Sequence, residues 1–217
     1  DELSEAMFMM FDSFRALAPD RVQPFDRDRR GLMLAEGAGV LVLESDRLAR
    51  ARGAAVYGRV AGHGNHADAH HMTAPHPTGL GAARSMRAAL AMAGIDPADV
   101  DYVCAHGTGT PANDVVEAVA IRDVFGPATD HIPVSSIKSM LGHAQGAAGA
   151  IEAVACLLAI RDGVVPPNLH LDNLDPGCSI RVVANRPLPT TVRVVLNNAF
   201  GFGGNNCCLV LTAWGAA

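Results

Sequence analysis

Tyr102-Val103-Cys104-Ala105-His106-Gly107-Thr108-Gly109-Thr110-Pro111 decides the architecture of this chain. Val100 to Ala105 is apolar and of buried-strand length, the loop from His106 to Pro111 leaves its carboxyl end, and a helix is expected from about Asn113 to Phe125. The same order returns downstream. Val134 opens a strand, Ser135 to His143 forms a loop, and a helix runs to about Arg161. Strand, loop and helix in alternation predict an α/β layered domain whose ligand loops lie at strand ends.

Working outward, Ser4 to Leu17 reads as a helix, with Leu3, Met7, Met10, Phe14 and Leu17 recurring at three- and four-residue steps. A helix already under way so near Asp1 predicts that polypeptide precedes it, as upstream sequence or as a separate partner. Pro19 to Arg30 is a polar loop. Ala38 to Leu43 is expected as a buried strand, Asp46 to Arg52 as a short basic helix closing at Gly53, and Val56 to Ala61 as a strand. A boundary between two halves is placed near Gly53, giving units 1–52 and 53–217. His63 to Pro77 reads as a polar loop, and Gly79 to Ala93 as an Ala-rich helix with Gly94 just past its end. Ile180 to Val183, Val192 to Ala199 and Cys207 to Thr212 are strand-like. The latter two flank the turn Phe200-Gly201-Phe202-Gly203-Gly204-Asn205, which predicts an antiparallel hairpin in a mixed sheet.

The 217 residues, 49% hydrophobic with Gly 22 and Pro 13, describe a folded, loop-punctuated protein. A net charge of -5 gives no reason to expect nucleic acid or an anionic membrane as partner. Apolar runs are strand-sized, well short of the roughly 20 residues of a membrane helix. The five cysteines have no regular spacing, which makes free thiols in a reducing cytosol the expectation.

Two imidazoles and one ammonium carry the candidate chemistry. His106 would sit at a strand end beside Gly107, whose missing side chain permits close approach, with the Thr108 and Thr110 hydroxyls available to an amide-bearing ligand arm; a loop histidine satisfied by backbone is the alternative. Lys138 and His143 share the second loop, followed by the small residues Gln145 to Ala150. A helix starting beside His143 and the Lys138 cation would both favour a neutral ring able to donate a hydrogen bond to an oxyanion. Phe200 to Gly204 could expose backbone N–H groups and use its phenyl rings as a gate, or could be a glycine hairpin with core aromatics. His63, His66, His70, His71 and His76 match no compact zinc spacing, so no metal is expected. The adjacent Cys207 and Cys208 would face opposite sides of a strand.

Taken together, Pro24-Phe25-Asp26, Ala35-Glu36-Gly37-Ala38-Gly39, His70 to Pro75, His106 to Glu117, Ser135 to Gly149, Val165-Pro166-Pro167-Asn168 and Phe200 to Asn205 resemble, in family order, the carboxyl-terminal part of elongating β-ketoacyl-acyl-carrier-protein synthases. That resemblance implies a thiolase-like layered αβαβα fold, with 1–52 as the tail of its amino-terminal half and 53–217 as the carboxyl-terminal half. It implies a decarboxylative Claisen condensation of a malonyl thioester with an acyl thioester, in fatty acid or polyketide biosynthesis. His106 and His143 would hold the malonyl thioester oxygen, Lys138 would shape their field and pair with Glu117 as structural support, and Phe202 would supply an oxyanion-hole N–H and a gating ring. Thr108 and Thr110 would grip phosphopantetheine, while Phe200 and Gly203 belong to the gate. No cofactor is implied, the substrates riding on the phosphopantetheine of an acyl carrier protein. The nucleophilic cysteine has no counterpart in this chain, so an amino-terminal half must supply it, within a homodimeric or heterodimeric assembly. A non-catalytic subunit like a chain-length factor is the alternative, and a carrier-protein binding module with no chemistry a third; such subunits tend to lose the histidines that this chain keeps.

Overall fold

A computed structural model describes residues 1–215. Ser4 opens helix α1 (Glu5–Ser13) by accepting the Met7 amide on its hydroxyl, which satisfies one of the four donors left free at a helix start. The helix stops short of Leu17 because Arg15 turns left-handed (φ 52°) and the Ala16 amide folds back onto the Phe11 carbonyl. Leu17 instead bridges to Leu32.

The strand expected at Ala38 to Leu43 is not one. That stretch is extended but joins no ladder among the described residues. Gly39 lies so near α6 (Ala148–Asp162) that a Cβ there would stand 2.9 Å from the Ala150 carbonyl carbon, while Val40, Val42 and Leu43 are 85%, 82% and 76% exposed. The apolar pattern was legible and its cover is absent from the described residues.

After α2 (Asp46–Ala51), strand β1 runs from Arg59 to Ala67, so His63 and His66 belong to a strand and not to the expected loop. Its bounds follow its partner, because the pairing extends from Arg59–Thr212 to Ala67–Asn205 along the full hairpin. Gly62 and Gly64 let α3 (Leu80–Ala93) close on that strand; a Cβ on Gly64 would fall 2.0 Å from the Ser85 carbonyl oxygen. The helix ends at left-handed Gly94, as expected. Then follow β2 (Tyr102–Cys104), α4 (Pro111–Phe125), β3 (Pro133–Ser135), α5 (Lys138–Leu141), α6, β4 (Val164–Val165), β5 (Arg181–Val182), β6 (Leu188–Pro189), β7 (Val194–Gly201) and β8 (Asn205–Thr212). Helix α4 begins at Pro111, two residues before the periodicity showed, since proline at the first helical position gives up an N–H that would have had no partner.

Six strands form one mixed sheet in the order β1-β8-β7-β2-β3-β5. The β1–β8 and β8–β7 pairs are antiparallel, and β7, β2, β3 and β5 run parallel. Side chains alternate across it with period two. Tyr102, Cys104, Val195 and Leu211 pack with Ala153, Cys156 and Ala159 of α6, whereas Val103, Leu196, Cys208 and Val210 pack with Met86 and Leu90 of α3 and Ile121 and Phe125 of α4. Helices therefore clad both faces, and the parallel pair β2 and β3 delivers its two following loops side by side.

Candidate active site

The turn after β2 is held by a carboxylate. Glu117 on α4 accepts the backbone amides of His106 and Gly107, each at 2.8 Å, and the Asn198 side-chain amide at 3.1 Å. Burial pushes its pKa up to about 7, against the pull of these donors. Gly107, at φ 32°, is obligatory here: a Cβ would stand 2.6 Å from that of Ser136, whose hydroxyl donates to the Gly107 carbonyl at 2.7 Å.

Lys138 does not pair with Glu117. Its buried ammonium forms an ion pair with Glu152 of α6 and donates to the His106 carbonyl at 2.7 Å. Both oxygens of Glu117 are occupied by amides of the preceding loop, and α5, a short helix where a loop was expected, aims Lys138 at α6. The ammonium also lies 3.4 Å from His106 Nδ1. Having no lone pair, an ammonium can only donate, so Nδ1 accepts and the ring proton sits on Nε2.

His143 is fixed by chain from the other end of the sequence. Its amide donates to the Met33 carbonyl at 2.7 Å, and its carbonyl accepts the Ala35 amide at 3.0 Å. Its Nδ1 accepts the Gln145 amide at 3.2 Å, which again assigns the proton to Nε2. Helix α6 begins at Ala148, beyond a 3-10 turn over Gln145–Ala147, so the helix end lies farther from the ring than the sequence reading placed it. Desolvation, and after it the Lys138 charge, hold the His143 pKa down to about 3. His106 is driven well below its ordinary value by burial first, then by Lys138 and His143. The two rings meet edge to face, 5.4 Å between centroids at 81°.

Both imidazoles line a cavity of about 750 Å³ together with Thr108, Thr110, Phe200 and Phe202. The Thr108 and Thr110 hydroxyls are 2.9 Å apart, and the Phe200 ring lies 5.5 Å from that of His106. The Gly203 amide is already committed to the Met72 carbonyl at 2.7 Å, so that N–H does not face a ligand. Phe202 instead packs on Phe11 of α1 and on Phe14 just past its end. Among the described residues, none that lines the cavity is a cysteine. Cys104, Cys156, Cys178 and Cys208 are buried, and burial pushes the Cys178 thiol up to about 12. Among the described residues no three histidine, cysteine or acidic side chains gather as a metal site; of the histidine-rich stretch, His70 and His76 meet ring to ring at 5.1 Å.

Glu152, Asn198 and the Met33–Ala35 segment escaped the sequence reading. Only Glu152 left a signal there, as the lone acid in the small and apolar run from Ala147 to Ile160. The others act from distant sequence positions.

The family description "Beta-ketoacyl synthase, C-terminal domain" matches residues 57–172, and "Beta-ketoacyl synthase, N-terminal domain" matches residues 2–49. The 3-oxoacyl-[acyl-carrier-protein] synthase 2 of Staphylococcus aureus (strain COL) is 44% identical over 205 residues, which cover 92% of this chain and 50% of that protein. The ishigamide ketosynthase/chain length factor structure superposes with a TM-score of 0.95 at 46% identity, covering 99% of this chain and 52% of the other. AntDE:AntF, a type II PKS acyl-carrier protein in complex with its ketosynthase bound to the hexaketide, superposes with a TM-score of 0.95 at 35% identity, covering 99% and 54%. The fold is the thiolase-like α/β fold of these ketosynthases, and the chain spans about half the length of the curated relatives it matches.

Proposed function

We propose, on the premise that this chain belongs to the β-ketoacyl synthase family, that it forms the histidine-bearing part of a site for decarboxylative Claisen condensation. The observation that carries the reading is a pair of buried, neutral imidazoles, each with Nε2–H left to donate, meeting at one cavity. A malonyl thioester bound there breaks the bond to its carboxylate, carbon dioxide leaves, and the electron pair moves into the thioester to give an enolate whose oxygen accepts both N–H groups. The enolate carbon then attacks an acyl thioester on a cysteine; the carbon–sulfur bond breaks and the thiolate is released. Neutral donors suit this step, since neither ring has to change charge as the oxyanion forms. Lys138 sets the field at His106 and His143, Glu117 shapes the turn bearing His106, and the Phe202 amide serves the oxyanion of the acyl group.

The thiol comes from the remainder of a complete synthase, outside residues 1–217, with residues 1–52 as the tail of its amino-terminal half and 53–217 as its carboxyl-terminal half. Substrates arrive on the phosphopantetheine of an acyl carrier protein, whose arm Thr108 and Thr110 hold, in a dimeric assembly in the cytosol. The acyl-carrier protein named with the AntDE:AntF ketosynthase supports this partner.

The test is His143→Ala in the complete synthase, assayed for carbon dioxide release from malonyl-carrier protein and for acyl transfer to the cysteine. Decarboxylation should fall about 100- to 1,000-fold, the usual cost of one preorganised oxyanion donor, while acylation of the thiol persists. Loss of acylation to the same degree would refute the role given to His143.

A further inference from the structure

Three consecutive carbonyls behind the threonine loop are taken by one short segment of distant chain. The Gly31 amide donates to the Gly109 carbonyl at 2.9 Å, Arg29 Nε donates to the Thr110 carbonyl at 3.0 Å, and Arg29 Nη2 donates to the Pro111 carbonyl at 2.8 Å. The packing is equally close: a Cβ on Gly109, at φ 77°, would stand 2.8 Å from the Gly31 carbonyl oxygen. Arg29 itself is buried and lies outside the cavity lining. Its remaining amino group, Nη1, donates to the Asp26 carbonyl at 2.8 Å and to Asp175 at 2.5 Å, and Asp114 stands 3.6 Å from Nε. Asp114 in turn accepts the Gly109 amide at 3.2 Å.

On the cavity side the two hydroxyls have, among the described residues, only each other. Thr110 occupies the N-cap position of α4, where a threonine hydroxyl ordinarily accepts an amide of the first helical turn, yet it makes no such bond and meets Thr108 at 2.9 Å instead. One O–H is spent within such a pair, which leaves one donor and free lone pairs at the cavity wall. An amide needs that combination, a donor for its carbonyl and an acceptor for its N–H. The spacing of the two hydroxyls is set by the loop backbone, and the carbonyls of residues 109, 110 and 111 are points at which that backbone is fixed.

We infer that Arg29 is a positioning residue for ligand binding: its planar fork spans two successive carbonyls and so holds Thr108 and Thr110 in the spacing that receives an amide of a pantetheine thioester. This rests on the condensing function proposed above, in which those threonines hold the arm. A lysine can replace the charge but not the fork, because its donors all leave one nitrogen, whereas Nε and Nη2 are two.

The experiment uses the complete synthase and follows carbon dioxide release from two small thioesters: malonyl-pantetheine, which carries the amide-bearing arm, and S-ethyl malonyl thioester, which has no amide. Arg29→Lys keeps a cation beside Asp114 and Asp175. It should raise KM for malonyl-pantetheine about tenfold, the worth of one hydrogen bond, with kcat little changed, and should leave kcat/KM for the ethyl thioester in place. Thr110→Ala should do the same, and the double variant should be no worse than either single one, since both remove the same contact. Asp175→Asn weakens the ion pair but leaves both carbonyl bonds, and should lower the melting temperature without moving KM. If Arg29→Lys does not fold, Arg29→Met with Asp175→Leu removes the fork without stranding that carboxylate and should show the same rise in KM. An unmoved KM in the Arg29 variant, equal losses on the two thioesters, additive effects of Arg29→Lys and Thr110→Ala, or an equal rise in Asp175→Asn overturns the inference. An unchanged KM in Thr110→Ala overturns the role of the threonine pair itself, an outcome distinct from one in which Thr110→Ala raises KM and Arg29→Lys does not.

Discussion

At the residue scale, burial keeps two histidines uncharged. Unfolded, His143 takes up a proton near 6.5; folded, it resists until about 3. Between those values the unfolded state holds more protons, so stability falls as pH falls, by about 1.4 kcal/mol per pH unit for one fully shifted group. His106 acts in the same direction. Glu117 acts in the opposite one: its folded pKa of about 7 against 4.5 means that the folded state holds the extra proton, and stability is lost as pH rises through that interval. Replacing one histidine removes one contribution and leaves the others, so His143→Gln should flatten the dependence of the urea midpoint on pH between about pH 6 and pH 5. An unchanged slope would contradict a ring held neutral by burial. His106, Lys138 and His143 were legible as candidates residue by residue, because each stands beside glycine or a small residue in a segment that follows a strand. The charge state of the rings was legible only in outline: the sequence named Lys138 as a cause, but the larger cause, desolvation, exists only once the sheet and α6 enclose the site.

Elements decide which charge meets which. A carboxylate eleven positions after His106 invited a pairing with Lys138, yet α4 turns Glu117 onto the backbone amides of the loop, and α5 turns Lys138 onto α6. Glu152→Gln therefore leaves a buried ammonium without its counter-ion and should lower stability by about 3–5 kcal/mol. The double variant Lys138→Met, Glu152→Leu should recover most of that loss while abolishing catalysis. Thermal unfolding of the two proteins checks both; a small loss in the single variant would mean the pair is solvated. Helix and strand bounds shifted for comparable reasons. Periodicity finds where an apolar face recurs, but β1 reaches Ala67 because β8 pairs with it that far, and α1 stops at Ser13 because Arg15 adopts a left-handed turn that no residue pattern announces.

For the whole molecule, the feature with most consequence is the apolar surface left open. Val40, Val42 and Leu43 lie extended with no ladder partner among the described residues, and Leu3, Phe8 and Met9 of the amino-terminal region are exposed as well. Unpaired extended backbone flanked by exposed apolar side chains templates association. The isolated 217-residue chain should self-associate at micromolar concentration, while the same residues produced together with polypeptide supplying the rest of a synthase should elute as one discrete species. Light scattering on both preparations distinguishes the cases, and a monodisperse isolated chain would contradict the expectation.

The sequence by itself determined the alternation of strands and helices and the positions of the two loops that follow β2 and β3, since these follow from local pattern and residue type. Tertiary structure alone decided that Glu152 is the counter-ion of Lys138, that residues 33–35 hold His143 in place, and that Phe11 and Phe14 close on Phe202. Each of those is a contact between segments far apart in sequence, and only packing against the shared sheet determines which distant groups are left facing one another.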